Sequence, residues 1–110
     1  MSNILYTPEA EDDLAEILDY ITGQLGSPAA AINTVAKIIK RIRELEQFPE
    51  MGTPLSSIIN MNTDYRLIVC ASYLAFYRID GDNVYIIRVL YGRRDYSTTL
   101  FGELPQDEAE

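Results

Sequence analysis

The sequence predicts a two-layer α+β domain in the order β-α-α-β-β-β, with an N-terminal helix hairpin packed on one face of a small, twisted, mainly antiparallel four-stranded sheet. Three observations carry this expectation. Apolar residues recur every three or four positions from Ala10 to Leu45, the period changes to two beyond Asp64, and a turn-rich stretch from Pro49 to Pro54 separates the two regimes. A sheet with one apolar face needs a cover, and the helix pair supplies it.

Asn3-Ile4-Leu5-Tyr6-Thr7 reads as a short strand that stops at Pro8, a residue with no amide donor but well suited to a first helical turn. Thr7 is the expected cap, and Glu9 and Glu11 sit at the positive end of the helix dipole. Ala10, Leu14, Ile17, Leu18, Ile21 and Leu25 form one apolar stripe with an acidic outer side, and Gly26 ends the helix. Ser27-Pro28 repeats the cap-then-proline signal. The second helix is expected from Pro28 to Phe48, with Ile32, Val35, Ile42, Leu45 and either Ile39 or Ile38 buried. Lys37, Lys40, Arg41 and Arg43 give it a basic, solvated segment. Strands are expected over 64–71, 73–79 and 83–91, joined by Ala71-Ser72 and by the turn Asp80-Gly81-Asp82-Asn83. The first strand should join one edge of this meander. Arg93 to Phe101 can form one or two helical turns or an extended cover over the sheet.

The chain of 110 residues is expected to be one domain, with 47% hydrophobic and 24% charged residues in globular proportion. No apolar run reaches the roughly 20 residues of a bilayer crossing, and Met1-Ser2-Asn3 lacks a signal-peptide start, so a cytoplasmic protein without membrane contact is expected. With no histidine, a His-based triad or an ordinary zinc site is excluded, and the single Cys70, in an apolar run, reads as a buried small side chain. The net charge of −8 opposes long-range attraction to nucleic acid. That charge is unevenly placed: six acids and no base lie within 1–20, four acids and no base within 103–110, and nine bases against seven acids between them. Anionic ligands are therefore disfavoured at a distance but not locally.

The strands hold Arg66, Arg78 and Arg88, followed by Arg93 and Arg94. Arginine stays charged at any biological pH and must reach solvent, an acid or a ligand. Alternation places Arg66 with Ile68 and Cys70, Arg78 with Leu74 and Phe76, and Arg88 with Val84, Ile86 and Leu90. Two uses stay open. Arginines and tyrosines on a face away from the helices could bind phosphate and stack bases, or the strand arginines could pair with Asp64, Asp80, Asp95 or Glu44.

Taken together, Tyr6-Thr7-Pro8-Glu9-Ala10, Phe48-Pro49-Glu50-Met51-Gly52, Tyr65-Arg66, Tyr77-Arg78-Ile79-Asp80, Ile87-Arg88-Val89-Leu90, Gly92-Arg93-Arg94-Asp95-Tyr96 and Leu100-Phe101 resemble the RelE/ParE superfamily. These are the toxins of type II toxin–antitoxin modules, which include plasmid stabilisation proteins. The resemblance spans about 3–102, which implies a toxin domain over 1–102 and an acidic, flexible tail over 103–110. It further implies a cognate antitoxin as partner, no cofactor or metal, and no sequence-specific DNA binding by this chain alone.

Two activities divide the family, inhibition of DNA gyrase and metal-free cleavage of mRNA on the ribosome. Arg66 matches an arginine that begins the second strand in much of the family and Arg94 one that helps stabilise phosphate in the ribonuclease branch, but Leu74 and Leu100 stand where that branch has a strand arginine and a terminal catalytic tyrosine, and no lysine follows Lys40. The resemblance therefore favours a ParE-like toxin that acts by binding gyrase or a related target. A ribosome-dependent endoribonuclease is the alternative, with Arg66 and Arg94 stabilising charge and Tyr96 as acid or base. A non-toxic, antitoxin-binding relic is the third reading. Arg78, Arg88 and Arg93 complete the expected set of target- or phosphate-contacting residues.

Overall fold

The structure, a computed structural model, describes residues 1–92 and 96–101. The first strand, β1 (Asn3–Tyr6), leads into helix α1 (Pro8–Leu25) through Thr7, whose hydroxyl accepts the Ala10 N–H at 3.1 Å and donates to the Ile87 carbonyl at 2.9 Å. One side chain thus caps a helix and pins a strand 80 positions away. Gly26, at φ +62°, turns the chain in the left-handed region that glycine enters without strain. Ser27 accepts from Ala30 N–H and starts α2 (Pro28–Arg43).

The second helix is shorter than expected, because its last turn tightens into a 3-10 turn over Glu44–Glu46 that still delivers Leu45 to the core. Its buried stripe runs through Ala31, Ile38 and Ile42, which settles the choice in favour of Ile38 over Ile39. Ile32, expected to be buried, is 61% exposed because it stands one residue, about 100° of helix rotation, beyond Ala31. Leu25, at the helix end, is exposed as well.

Three strands follow as a meander, β3 (Arg66–Cys70), β4 (Tyr73–Asp80) and β5 (Asn83–Tyr91), preceded by the two-residue β2 (Thr53–Pro54). The sheet order is β1-β5-β4-β3-β2, with β1 parallel to β5 and every other pair antiparallel. The added fifth strand is too short to show a period of two, and Pro54 is tolerated there because β2 lies at an edge and needs no second ladder donor. Between Phe76↔Arg88 and Tyr77↔Ile86 the register shifts, leaving Ile87 without a partner. This bulge resets the alternation: Val84, Ile86 and Val89 all face the helix-side core, whereas Leu90 faces away. The expectation that Arg88 shares a face with Val84 and Ile86 fails for that reason.

Both long helices pack on one sheet face. The other face has a smaller core of Leu55, Leu67, Phe76 and Leu90, covered in part by Tyr96, Leu100 and Phe101 from the short helix α3 (Tyr96–Phe101). Its centre is apolar, not the arginine and tyrosine surface that alternation allowed.

Candidate functional site

The strand arginines begin from three different places. Arg66 opens β3 and uses one guanidinium nitrogen, Nη1, to donate to the carbonyls of Glu50 at 3.1 Å and Gly52 at 2.8 Å. Its cross-strand partner Tyr77 grips the same loop, its hydroxyl donating to the Pro49 carbonyl at 2.8 Å and accepting the Gly52 N–H at 2.9 Å. Burial pushes the Tyr77 phenol up, against the opposing pull of the Gly52 amide and the Arg66 charge. Arg66 and Tyr77 together hold residues 49–52 against the sheet.

Arg78 donates to Asp64 Oδ2 from Nε at 3.3 Å and Nη2 at 3.2 Å, one of the acid pairings the sequence allowed. Arg88 pairs with an acid outside that set. Its Nε and Nη2 meet the two oxygens of Asp13 at 2.7 and 2.8 Å, and the Val89 N–H adds a third bond to Asp13 at 2.9 Å. Asp13 is 6% exposed, on the buried side of α1 between Ala10 and Ile17. An acid on an apolar stripe is itself a signal that a cation must come to it.

Tyr96 packs its ring on Phe76 with centroids 5.1 Å apart, on the face away from the long helices. Arg66 alternates with Ile68 and Cys70 and so belongs to the helix-side face. The structure therefore puts Arg66 and Tyr96 on opposite faces of the sheet. Arg93 and Arg94 lie outside the described residues, as does the stretch 103–110.

A concave surface that the sequence did not mark lies between α1 and the C-terminal half of β5. It is a cleft of about 420 Å³ lined by Asp13, Glu16, Ile17, Tyr20, Tyr73, Val89, Leu90 and Tyr91. Tyr73 and Tyr91 meet edge to face at 5.7 Å, and burial, then the Tyr91 and Tyr20 hydroxyls, push the Tyr73 phenol up. The three tyrosines come from separate elements and only the folded chain joins them. Burial likewise pushes the Tyr6 phenol up. Among the described residues no group of three or more His, Cys, Asp or Glu side chains could hold a metal ion, and no helix is long and apolar enough to cross a membrane.

The arrangement is that of a small scaffold whose three strand arginines each bond within the chain, beside an open cleft. A solved structure described as the chromosomal ParDE toxin–antitoxin system from P. aeruginosa has a chain with this fold, matching at TM-score 0.70 and 24% identity over 83% of the present chain and 96% of the other. The family model for the ParE toxin of type II toxin–antitoxin systems matches residues 4–96, from β1 to the start of α3. The chain belongs to that ParE toxin family. No curated protein sequence matches it.

Proposed function

We propose that the chain is the toxin subunit of a type II toxin–antitoxin pair, that it acts in the cytoplasm by binding a protein target, with DNA gyrase the first candidate, and that a cognate antitoxin neutralises it. The family match over 4–96 supports the toxin reading. The observation that carries the protein-binding reading is the commitment of the strand arginines within the chain: Arg66 to two carbonyls, Arg78 to Asp64 and Arg88 to Asp13. A ribonuclease needs cations turned toward a scissile phosphate and a proton donor on the same side. Arg66 and Tyr96 occupy opposite faces, and Arg78, more exposed than Arg88, is shared with Asp64. The segment after β5 is the proposed target-facing end, through Arg93 and Arg94.

Induced expression of the chain, with growth, a DNA-damage reporter and mRNA integrity followed together, tests this reading. Growth arrest with intact mRNA and induction of the damage response is the expected result. Cleavage of mRNA at codon boundaries would establish the ribonuclease, and unimpaired growth would establish the relic.

A further inference from the structure

The helix hairpin segregates its charges by helix. α1 carries six acids and no base, and α2 carries four bases and no acid. The two blocks lie at the same level of the hairpin. Glu16 stands nine residues before the end of α1 at Leu25 and Lys37 nine after the start of α2 at Pro28, while Asp12 and Lys40 stand thirteen and twelve residues away. Both helices rise about 1.5 Å per residue, so equal steps from the connector are equal heights. Asp12, Glu16, Lys37 and Lys40 are exposed on the outer sides of their helices, and the ion pairs among described residues engage only Asp13 of α1 and only Arg41 of α2.

The hairpin is also apolar toward its connector, where Leu25 and Ile32 are 68% and 61% exposed. Ala15, Ala29 and Ala36 are exposed as well, so no long side chain at those positions holds a facing helix away. A partner of one sign satisfies only half of such a face: a basic one meets Lys37 and Lys40, and an acidic one meets Asp12 and Glu16. A surface with both signs side by side at one level is complementary to itself. A two-fold axis running along the helices lays α1 of one copy on α2 of the other, twice and at unchanged level. An axis across the helices would lay α1 on α1, and repulsion between like charges opposes that arrangement.

We infer that the outer face of the helix hairpin is a self-association surface, through which two copies of this chain pair about a two-fold axis parallel to the helices. Asp12 and Glu16 of each copy meet Lys40 and Lys37 of the other, and Leu25 and Ile32 supply the apolar part of the contact. The hairpin face is about 27 Å long and about 20 Å wide, so the contact buries roughly 1,000 Å² in total. That is the low end for a specific interface, and the dimer is therefore weak and sensitive to salt. The surface lies outside the proposed target-facing end and does not rest on the toxin reading.

Sedimentation equilibrium of the purified full chain and of two charge-reversed forms tests this. One form carries Asp12→Lys and Glu16→Lys, which leaves both helices basic at that level; the other carries Lys37→Glu and Lys40→Glu, which leaves both acidic. The original chain is expected to form a dimer that weakens as salt rises. Each reversed form alone should lose at least about tenfold in self-association, and an equimolar mixture of the two should regain it as a mixed dimer. All four positions are exposed, so the reversed forms are expected to fold, which circular dichroism verifies. A monomer at every concentration up to about 1 mM, reversed forms that associate as before, no recovery on mixing folded forms, or growth into assemblies larger than a dimer would each overturn the proposal. None of these readouts uses growth arrest, so failure here leaves the toxin reading standing, and failure of the toxin reading leaves the surface.

Discussion

Asp13 and Arg88, 75 residues apart in sequence, form a bidentate ion pair whose carboxylate also accepts the Val89 N–H, so one side chain of α1 satisfies a backbone donor of β5 where β1 no longer pairs with it. The guanidinium keeps a path to solvent at 23% exposure while the carboxylate is nearly enclosed. Hydrogen bonding to Asp13 is the largest influence holding Arg88 protonated. Removing the acid strands a cation and a backbone donor together. Asp13→Ala is expected to cost about 3 kcal/mol, the lower end of the range for breaking buried pairs, because Arg88 can rehydrate. Asp13→Asn, which keeps an acceptor for Val89, should cost less. Urea unfolding of both variants measures this, and equal loss in the two would deny the Val89 bond any weight.

Gly52 is required by a close approach. A Cβ there would lie 2.8 Å from the Leu67 carbonyl and 2.7 Å from a ring carbon of Tyr77. The strand carbonyl cannot yield, so Gly52→Ala should destabilise by about 1–3 kcal/mol and loosen the 49–52 loop. Tyr77→Phe leaves Gly52 N–H and the Pro49 carbonyl without their bonds and should cost about 1–3 kcal/mol. Both perturb one loop, so the double variant should lose less than the sum of the singles, which a double-mutant cycle would detect.

Cys70 is 2% exposed and burial pushes its thiol from 9.0 up to about 11. A group whose pKa is higher in the folded state favours unfolding once the unfolded chain can ionise, so its contribution is intact below pH 9 and is lost between pH 9 and about 11. Tyr6, Tyr73 and Tyr77 are raised too and act in the same direction at higher pH. Comparison with Cys70→Ala isolates the thiol: the wild-type chain should lose stability more steeply over that window. In the native chain at pH 8 a thiol alkylator should react no faster than the protein opens. Rapid alkylation of the folded protein would contradict the burial.

Arg93 and Arg94 carry the prediction for the target-facing end. Replacing both by alanine should leave the melting temperature and antitoxin affinity near their original values while abolishing growth arrest. Charge-assisted contacts of about 1.5–3 kcal/mol each correspond to a loss of roughly a hundredfold or more in target binding. Full toxicity in a folded double variant would remove both residues from the site.

The caps at Thr7 and Ser27, the turn at Gly81 and the meander were legible because each depends on a few neighbouring residues. The register shift at Ile87 was not, since a bulge arises from competition between two strands and leaves no composition mark on either. The same limit explains the arginines. Asp64 was in reach of Arg78 because it lies just before the strand that pairs with β4, whereas Asp13 meets Arg88 only after α1 folds back on the sheet. Tyr20, Tyr73 and Tyr91 each read as an ordinary surface or strand tyrosine, and their cleft is a product of packing.

The most direct test of the central claim is a DNA supercoiling assay with purified gyrase and the purified full chain, with and without its antitoxin. Inhibition of supercoiling that rises with toxin concentration, is relieved by the antitoxin and is lost in the Arg93→Ala, Arg94→Ala double variant is the predicted result. Undiminished supercoiling at every toxin concentration, from a chain that arrests growth and cleaves mRNA on the ribosome, would contradict it.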